Sequence, residues 1–233
     1  MDAERCIYCN KIIPEGRMVC PTCERDTMKI GMILQSNNAT KEEVQAAYNF
    51  YKGEKNMKKT LIVIDMQNDF IDGALGTKEA QAIVPNVKKK IKEYEARGDE
   101  IIFTRDTHTE NYLETNEGKH LPVKHCIYGT NGWQIHNEVT PNIVLSSSSA
   151  TIVNKHSFGK LDLFEAFDEY PDEIELVGLC TDICVVSNAL ILKATVPEID
   201  ITVDASCCAG VTPESHKAAL TTMKMCQINV IGE

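Results

Sequence analysis

No stretch of this chain stays apolar for the roughly 20 residues that would span a bilayer. The opening MDAERC is acidic and polar, with no apolar run behind it, so it does not read as a secretory signal. The expectation is a cytoplasmic protein with no membrane partner. Positive charge is also scarce: 24 Lys and Arg stand against 34 Asp and Glu. Residues 1 to 56 hold eight of each sign, so residues 57 to 233 carry the whole net charge of −10. A domain with that balance repels a phosphate backbone, which excludes nucleic acid as a partner. Ten cysteines in a small secreted chain would mean disulfides, but here four fall in two CxxC pairs and the others are scattered. Reduced thiols and a metal site explain that usage better.

At 233 residues and 43% hydrophobic, the chain can build one domain of ordinary size with a true core, plus a small appendage. The appendage begins at residue 6, in CIYCNKIIPEGRMVCPTC. Cys6, Cys9, Cys20 and Cys23 form two knuckles that can present four thiolates tetrahedrally, the arrangement Zn²⁺ prefers, so residues 1–26 read as a zinc ribbon with structural zinc. Iron in a rubredoxin-like site is the competing metal. Residues 27–57 read as a helical connector, with Thr40 and Glu43 spaced as a capping box and Gly53 as a stop. The polar stretch KGEKNMKK then marks the boundary to a domain over 58–233.

In that domain strand and helix patterns alternate. TLIVID is a continuous apolar run ending in an acid, as a strand buried on both faces would be. Val84, Val87, Ile91 and Tyr94 mark one face of a helix closed by Gly98, and EIIFTRD is the next strand. ATIVNK, a helix through LDLFEAFDEY, the strand EIELVGL and a helix from about Thr181 follow. DITVDAS, a helix capped by Thr212 with Pro213 in its first turn, and INVIG complete the series. Such alternation predicts a three-layer α/β/α fold with a mainly parallel sheet and a site at the carboxyl ends of its strands.

Chemistry-bearing residues fall at those ends. Asp65 closes the first strand, Lys155 a middle one, and Cys184 sits just past a later one, where a helix N-terminus favours a thiolate. An acid, an ammonium and a thiol could therefore converge, the lysine keeping the base ionised and the thiol reactive. The loop RDTHTENYLETNEGKHLPVKHC holds three of the six histidines. Asp106, His108, Glu117, His120 and His125 form an imidazole and carboxylate set without thiolates, which suits zinc, iron or manganese in an open site. Cys126, Cys207, Cys208 and Cys226 read as packing residues.

IDMQNDF, RDTH, the lysine of VNKHSF and GLCTDIC resemble, in order and spacing, the motifs of the isochorismatase-like cysteine hydrolases, and within them most of all the nicotinamidases. The likeness spans residues 58–233 and leaves out the ribbon. It implies Cys184 as nucleophile, Asp65 as general base and Lys155 as the cation that tunes them. It further implies a cis Leu179–Cys180 peptide, an oxyanion hole from the amides of Cys180 and Cys184, and Phe70 packing on a substrate ring. Asp106, His108 and His125 match the metal positions, and Glu117 matches a carboxylate ligand of part of the family. The implied reaction converts nicotinamide to nicotinate and ammonia through a thioester on Cys184, in a step of NAD salvage. Carbamoyl or other small amides are the alternative, and an inert scaffold recruiting through the ribbon is the reading from another class. In one departure, the tryptophan that some nicotinamidases carry three residues before the metal histidine is Pro122 here, and Trp133 lies after it. A homo-oligomer is left open.

Overall fold

The computed structural model describes Thr40, Glu43 and residues 57–140, 150–168 and 170–233. The ribbon cysteines Cys6, Cys9, Cys20 and Cys23, most of the connector and the serine run at 146–149 lie outside the described residues. The chain divides into two units, Met1–Met57 and Lys58–Glu233. In the first, Glu43 N donates to Thr40 Oγ1 at 3.1 Å and Thr40 N donates to Glu43 Oε2 at 2.8 Å, the reciprocal pair expected of a capping box.

The second unit is built on six strands: β1 (Lys59–Ile64), β2 (Glu100–Asp106), β3 (Ala150–Lys155), β4 (Glu173–Leu179), β5 (Asp200–Ala209) and β6 (Asn229–Ile231). All pair in parallel, in the order β3-β2-β1-β4-β5-β6. The chain thus winds outward from β1 in one direction and then, from β4, in the other. The two directions part between β1 and β4, where an open parallel sheet leaves a crevice beyond its carboxyl ends. At this seam Gly178 lies opposite Ile64 with φ +120°, and a Cβ would meet the Ile64 carbonyl at 2.1 Å, so only glycine fits.

Helices cover both faces. One core packs Leu61, Val63, Ile101 and Phe103 against α2 (Lys78–Arg97), whose buried Ala80, Ile83, Val84, Val87, Ile91 and Tyr94 recur at helical spacing. A short α1 (Asn68–Ile71) leads into it, Thr77 caps it and Gly98 at φ +71° ends it. The opposite core sets Ile62, Ile64, Ile174 and Leu176 against α4 (Val186–Thr195) and α5 (Pro213–Met225). A small α3 (Asn116–His120) stands in the loop after β2. Among the described residues no helix is long and apolar enough to cross a membrane.

Two elements differ from expectation. LDLFEAFDEY forms a single 3₁₀ turn, Leu163–Ala166, rather than a helix. Leu163, Phe164, Ala166 and Phe167 pack against the core at helix-like spacing, but the backbone is already extended at Phe167 (ψ 127°), and Pro171 disfavours helix at the residue before it. β5 runs on through Cys207 and Cys208, and both are buried in the core as packing residues.

A partly buried polar cluster ties α2 to the sheet. Lys90 Nζ lies 2.7 Å from Glu175 Oε1 and 2.9 Å from Asp204 Oδ2, while Tyr94 OH donates to Glu175 Oε2 at 2.7 Å. Burial works against the Asp204 carboxylate, but Ser206 and Lys90 together hold its carboxyl below the ordinary range. Its stabilising contribution is therefore present above the unfolded-state value and lost as the pH falls through the folded one. Lys90→Met should lower the unfolding free energy at pH 7 by about 2 kcal/mol, less than the ~3–5 of a fully buried broken pair. The deficit should shrink below about pH 4 as carboxylates take up protons, and urea titrations at the two pH values check both.

Candidate active site

The carboxyl ends of β1 to β4 supply the reactive groups. Asp65, the residue after β1, adopts φ +48°, a left-handed conformation that aspartate tolerates better than most side chains. Thr104 of β2 fixes it twice: its hydroxyl donates to Asp65 Oδ1 at 2.7 Å and accepts from Asp65 N at 3.2 Å. Lys155 ends β3 directly opposite Asp106 in the β2 register. Its side chain has no exposed surface, and its Nζ lies 2.7 Å from Asp65 Oδ2, 3.3 Å from Asp106 Oδ1 and 3.5 Å from Cys184 Sγ. The three strand-end residues expected to converge, Asp65, Lys155 and Cys184, are therefore in one cluster.

Cys184 arrives by a route the sequence pattern did not give. The Leu179–Cys180 peptide is cis, as the family likeness implied. A wide π-helical turn, Thr181–Val185, then precedes α4, with Ile183 N and Val185 N both donating to Cys180 O at 3.1 Å. Asn188, one turn along, donates to the Cys184 carbonyl at 2.8 Å and to Phe158 O at 3.1 Å, and accepts from Lys160 N at 2.9 Å. That one amide ties the cysteine turn to the loop following Lys155. On the other side, Asp182 accepts from Val211 N at 3.1 Å and His216 Nδ1 lies 2.8 Å from Thr181 Oγ1.

Burial sets the electrostatics of these groups. Burial first, then the Asp65 carboxylate, push the Cys184 thiol well above its ordinary range against the pull of Lys155. Burial and Asp65 thus oppose the thiolate that the helix start and Lys155 favour, so the thiol calls for a base. Burial raises the Asp65 carboxyl while Lys155 opposes the rise, which makes Asp65 a stronger base than a solvated carboxylate. Lys155 stays charged: burial works against its ammonium, but Asp65, Cys184 and Asp106 outweigh it.

Asp106, His108, Glu117 and His125 form the second half of the site, with one ligand atom from each lying within 4.8 Å of the others. His108 Nε2 is 3.0 Å from Asp106 Oδ2 and 3.5 Å from Glu117 Oε1, and His125 Nε2 is 3.7 and 3.8 Å from the same two oxygens. Donors about 2.0–2.2 Å from one ion sit at about such separations. His125 Nδ1 donates to Val123 O at 2.8 Å, which leaves Nε2 with its lone pair toward the cluster. Tyr112, buried against both imidazoles with ring centroids 4.6 and 4.9 Å away, helps to fix their planes. Asp69 accepts from Cys126 N at 2.7 Å and holds the end of the loop that returns His125. His120 is outside the cluster: its Nδ1 lies 2.8 Å from Asn116 O on the exposed side of α3, whereas Glu117 of that helix faces in. Two imidazoles and two carboxylates fit zinc, iron or manganese.

Between the two halves opens a cavity of about 160 Å³ with almost wholly apolar walls. Asp106, Glu117, His125 and Cys184 line its reactive end, and Phe70, Leu121, Phe158 and Ile183 its walls. The Phe70 ring is 5.5 Å from that of His125. Trp133 is not among the lining residues, and Leu121 and Phe158 supply wall instead. Sequence reading left Thr104, Gln67 and Asn188 without roles. The available signal was a polar residue inside an apolar element: Thr104 in EIIFTRD, Gln67 beside Asp65, and Asn188 four residues after Cys184 on the helix.

The family described as Isochorismatase domain matches residues 59–232. The nicotinamidase/pyrazinamidase of Mycobacterium tuberculosis is 26% identical over 196 residues, covering 74% of this chain and 98% of its own. The crystal structure of nicotinamidase from Bacillus subtilis superposes with a TM-score of 0.65 at 28% identity, covering 75% of this chain and 100% of that one. The pyrazinamidase of Pyrococcus horikoshii in complex with zinc gives a TM-score of 0.62 at 25% identity, covering 76% and 99%.

Lys155 lies between two buried carboxylates, so its removal leaves uncompensated charge. Lys155→Met should cost roughly 3–5 kcal/mol at pH 7, and adding Asp65→Asn should recover at least about half of that by removing one of the charges. Urea unfolding of the single and double variants measures both, and a double variant no more stable than the single contradicts this account.

Proposed function

The chain belongs to the isochorismatase family, and from that premise we propose that it is a metal-assisted cysteine amidohydrolase that converts nicotinamide to nicotinate and ammonia. The observation that carries this reading is the position of Lys155 Nζ, 2.7 Å from Asp65, 3.5 Å from Cys184 and 3.3 Å from Asp106 of the four-residue cluster, where Cys184, Asp106, Glu117 and His125 line one apolar cavity.

Each group then has a role. Asp65 takes the thiol proton as Cys184 Sγ attacks the carboxamide carbon, and Lys155 offsets the negative charge that has moved onto sulfur. The backbone amides of Cys180 and Cys184 receive the oxyanion. Asp65 returns the proton to the amide nitrogen, the C–N bond breaks, ammonia leaves and a thioester remains on Cys184. Asp65 next deprotonates a water that attacks the thioester, and the acid departs as the thiol regains its proton. Asp106, His108, Glu117 and His125 would hold a divalent metal, which when bound supplies a Lewis acid for a ring nitrogen of the substrate and for water. Phe70 stacks on the ring.

The cavity's chemistry also supports a small uncharged amide over a carbamoyl amino acid. It is smaller than the ~300–1,000 Å³ of sites for drug-sized ligands. Among the described residues its charged lining groups, Asp106 and Glu117, are acidic, and the described lining holds neither lysine nor arginine to meet a substrate carboxylate.

Purified protein should release ammonia from nicotinamide, and Cys184→Ala should lower that rate by at least about 10³-fold, the scale of losing a covalent nucleophile. Chelation should abolish turnover, and re-addition of zinc, iron or manganese should restore it. No turnover by the metal-loaded parent, with turnover of N-carbamoyl compounds in its place, would replace nicotinamide by the carbamoyl class.

A further inference from the structure

The strand end at Arg105–His108 presents two faces. Side chains alternate along an extended backbone, and His108 prolongs the extended run by pairing with Ile127. Asp106 and His108 accordingly share the cluster. Arg105 and Thr107 point the other way, and both meet Trp133, the only tryptophan in the chain.

The contacts on that rear face form a grip. Trp133 Nε1 donates to Thr107 Oγ1 at 2.9 Å in a buried setting, and Thr107 Oγ1 in turn donates to Arg105 O at 3.1 Å. The Arg105 guanidinium lies 3.6 Å from the indole centroid while its Nε donates to Asn154 Oδ1 at 2.9 Å. Gln67, wholly buried, links the backbones behind the site. Its side-chain N–H groups donate to Asp106 O and to Trp133 O at 2.9 Å each, and its Oε1 accepts from Asp106 N at 2.7 Å. Both residues flanking Thr107 are therefore cluster members; the Thr107 backbone is held by Lys155 O at 2.9 Å and His156 Nδ1 at 3.0 Å, and its side chain is gripped from behind by the indole N–H.

We propose that Trp133 is a positioning residue for metal binding: gripping Thr107 and Arg105 from behind, it sets the backbone from which Asp106 and His108 reach the ion. The inference rests on reading the four-residue cluster as a metal centre. It does not depend on which amide the enzyme hydrolyses. A site tolerates ligand displacements of only about 0.2 Å, and groups that orient ligands are worth about 10- to 100-fold in metal affinity. Trp133 does not line the cavity, so its effect is on the ion and not on a substrate ring.

The test uses full-length, metal-free protein with Co²⁺ as the probe. Co²⁺ on nitrogen and oxygen donors lacks the intense charge-transfer bands that thiolates give, so binding at this cluster is told apart from binding at cysteines. Trp133→Phe, which keeps a ring under Arg105 but removes the N–H, should weaken Co²⁺ binding about 10- to 100-fold. Thr107→Val, close to isosteric, should do the same, and it carries the test alone if the tryptophan variant does not fold. The double variant should bind within about threefold of the weaker single variant, because the Trp133–Thr107 bond is lost in both and Thr107→Val alone also removes the bond to Arg105 O. Quenching of Trp133 emission by Co²⁺ gives a second reading of the same affinity in the parent and in Thr107→Val. Folded single variants that bind within about twofold of the parent, or losses that multiply in the double, overturn the inference. A parent in which His108→Ala leaves Co²⁺ binding unchanged overturns the metal centre itself, and this inference with it.

Discussion

The site depends on one buried ammonium. Lys155 has no exposed side-chain surface, yet it touches two carboxylates and a thiol, and none of these could share so dry a space without it. Its position fixes the spacing of everything else. Asp65 must present an oxygen to it, Asp106 must divide its two oxygens between it and the histidines, and Cys184 must approach from the opposite side of the crevice. The ammonium is thus the group shared by the Asp65–Cys184 half of the site and the Asp106–His108–Glu117–His125 half.

The sheet makes this convergence possible. Its order places the ends of β1, β2 and β3 side by side and brings β4 against the other edge of β1, so the reversal of winding falls between Asp65 and Cys184. Polar side chains then hold each end: Thr104 on Asp65, Gln67 between Asp106 and Trp133, and Asn188 between the cysteine turn and the loop after Lys155. Each has its hydrogen bonds made inside the protein, as buried polar groups require. Together they convert a set of flexible loop starts into fixed geometry.

Much of this was readable in advance. Central strands buried on both faces leave apolar runs, as in β2 and β4, and β2, the edge strand β3 and β4 match the stretches EIIFTRD, ATIVNK and EIELVGL residue for residue. The convergence of Asp65, Lys155 and Cys184 followed from parallel strands sharing one edge. The 3₁₀ turn at Leu163–Ala166 was not readable, because its apolar spacing imitates a helix and only the way those residues pack, with Pro171 beyond, rules one out. The surroundings of Cys184 were readable only in part, for a related reason. The sequence displays a helix start and a nearby lysine, both of which favour a thiolate, but it does not display burial or the close Asp65 carboxylate, which prevail.

The sequence by itself determined the α/β/α architecture, the strand ends at which acid, ammonium and thiol sit, and the donor types of the second cluster. These follow from hydrophobic period and residue chemistry, which are local properties of the chain. The tertiary structure alone decided that Glu117 faces the histidines while His120, three residues on, turns to solvent. It alone placed Trp133 behind the Asp106–His108 segment and not on the cavity wall. Those choices are set by how loops of the second unit fold back over one another, and the contacts that set them join residues far apart in the chain, beyond what any local pattern encodes.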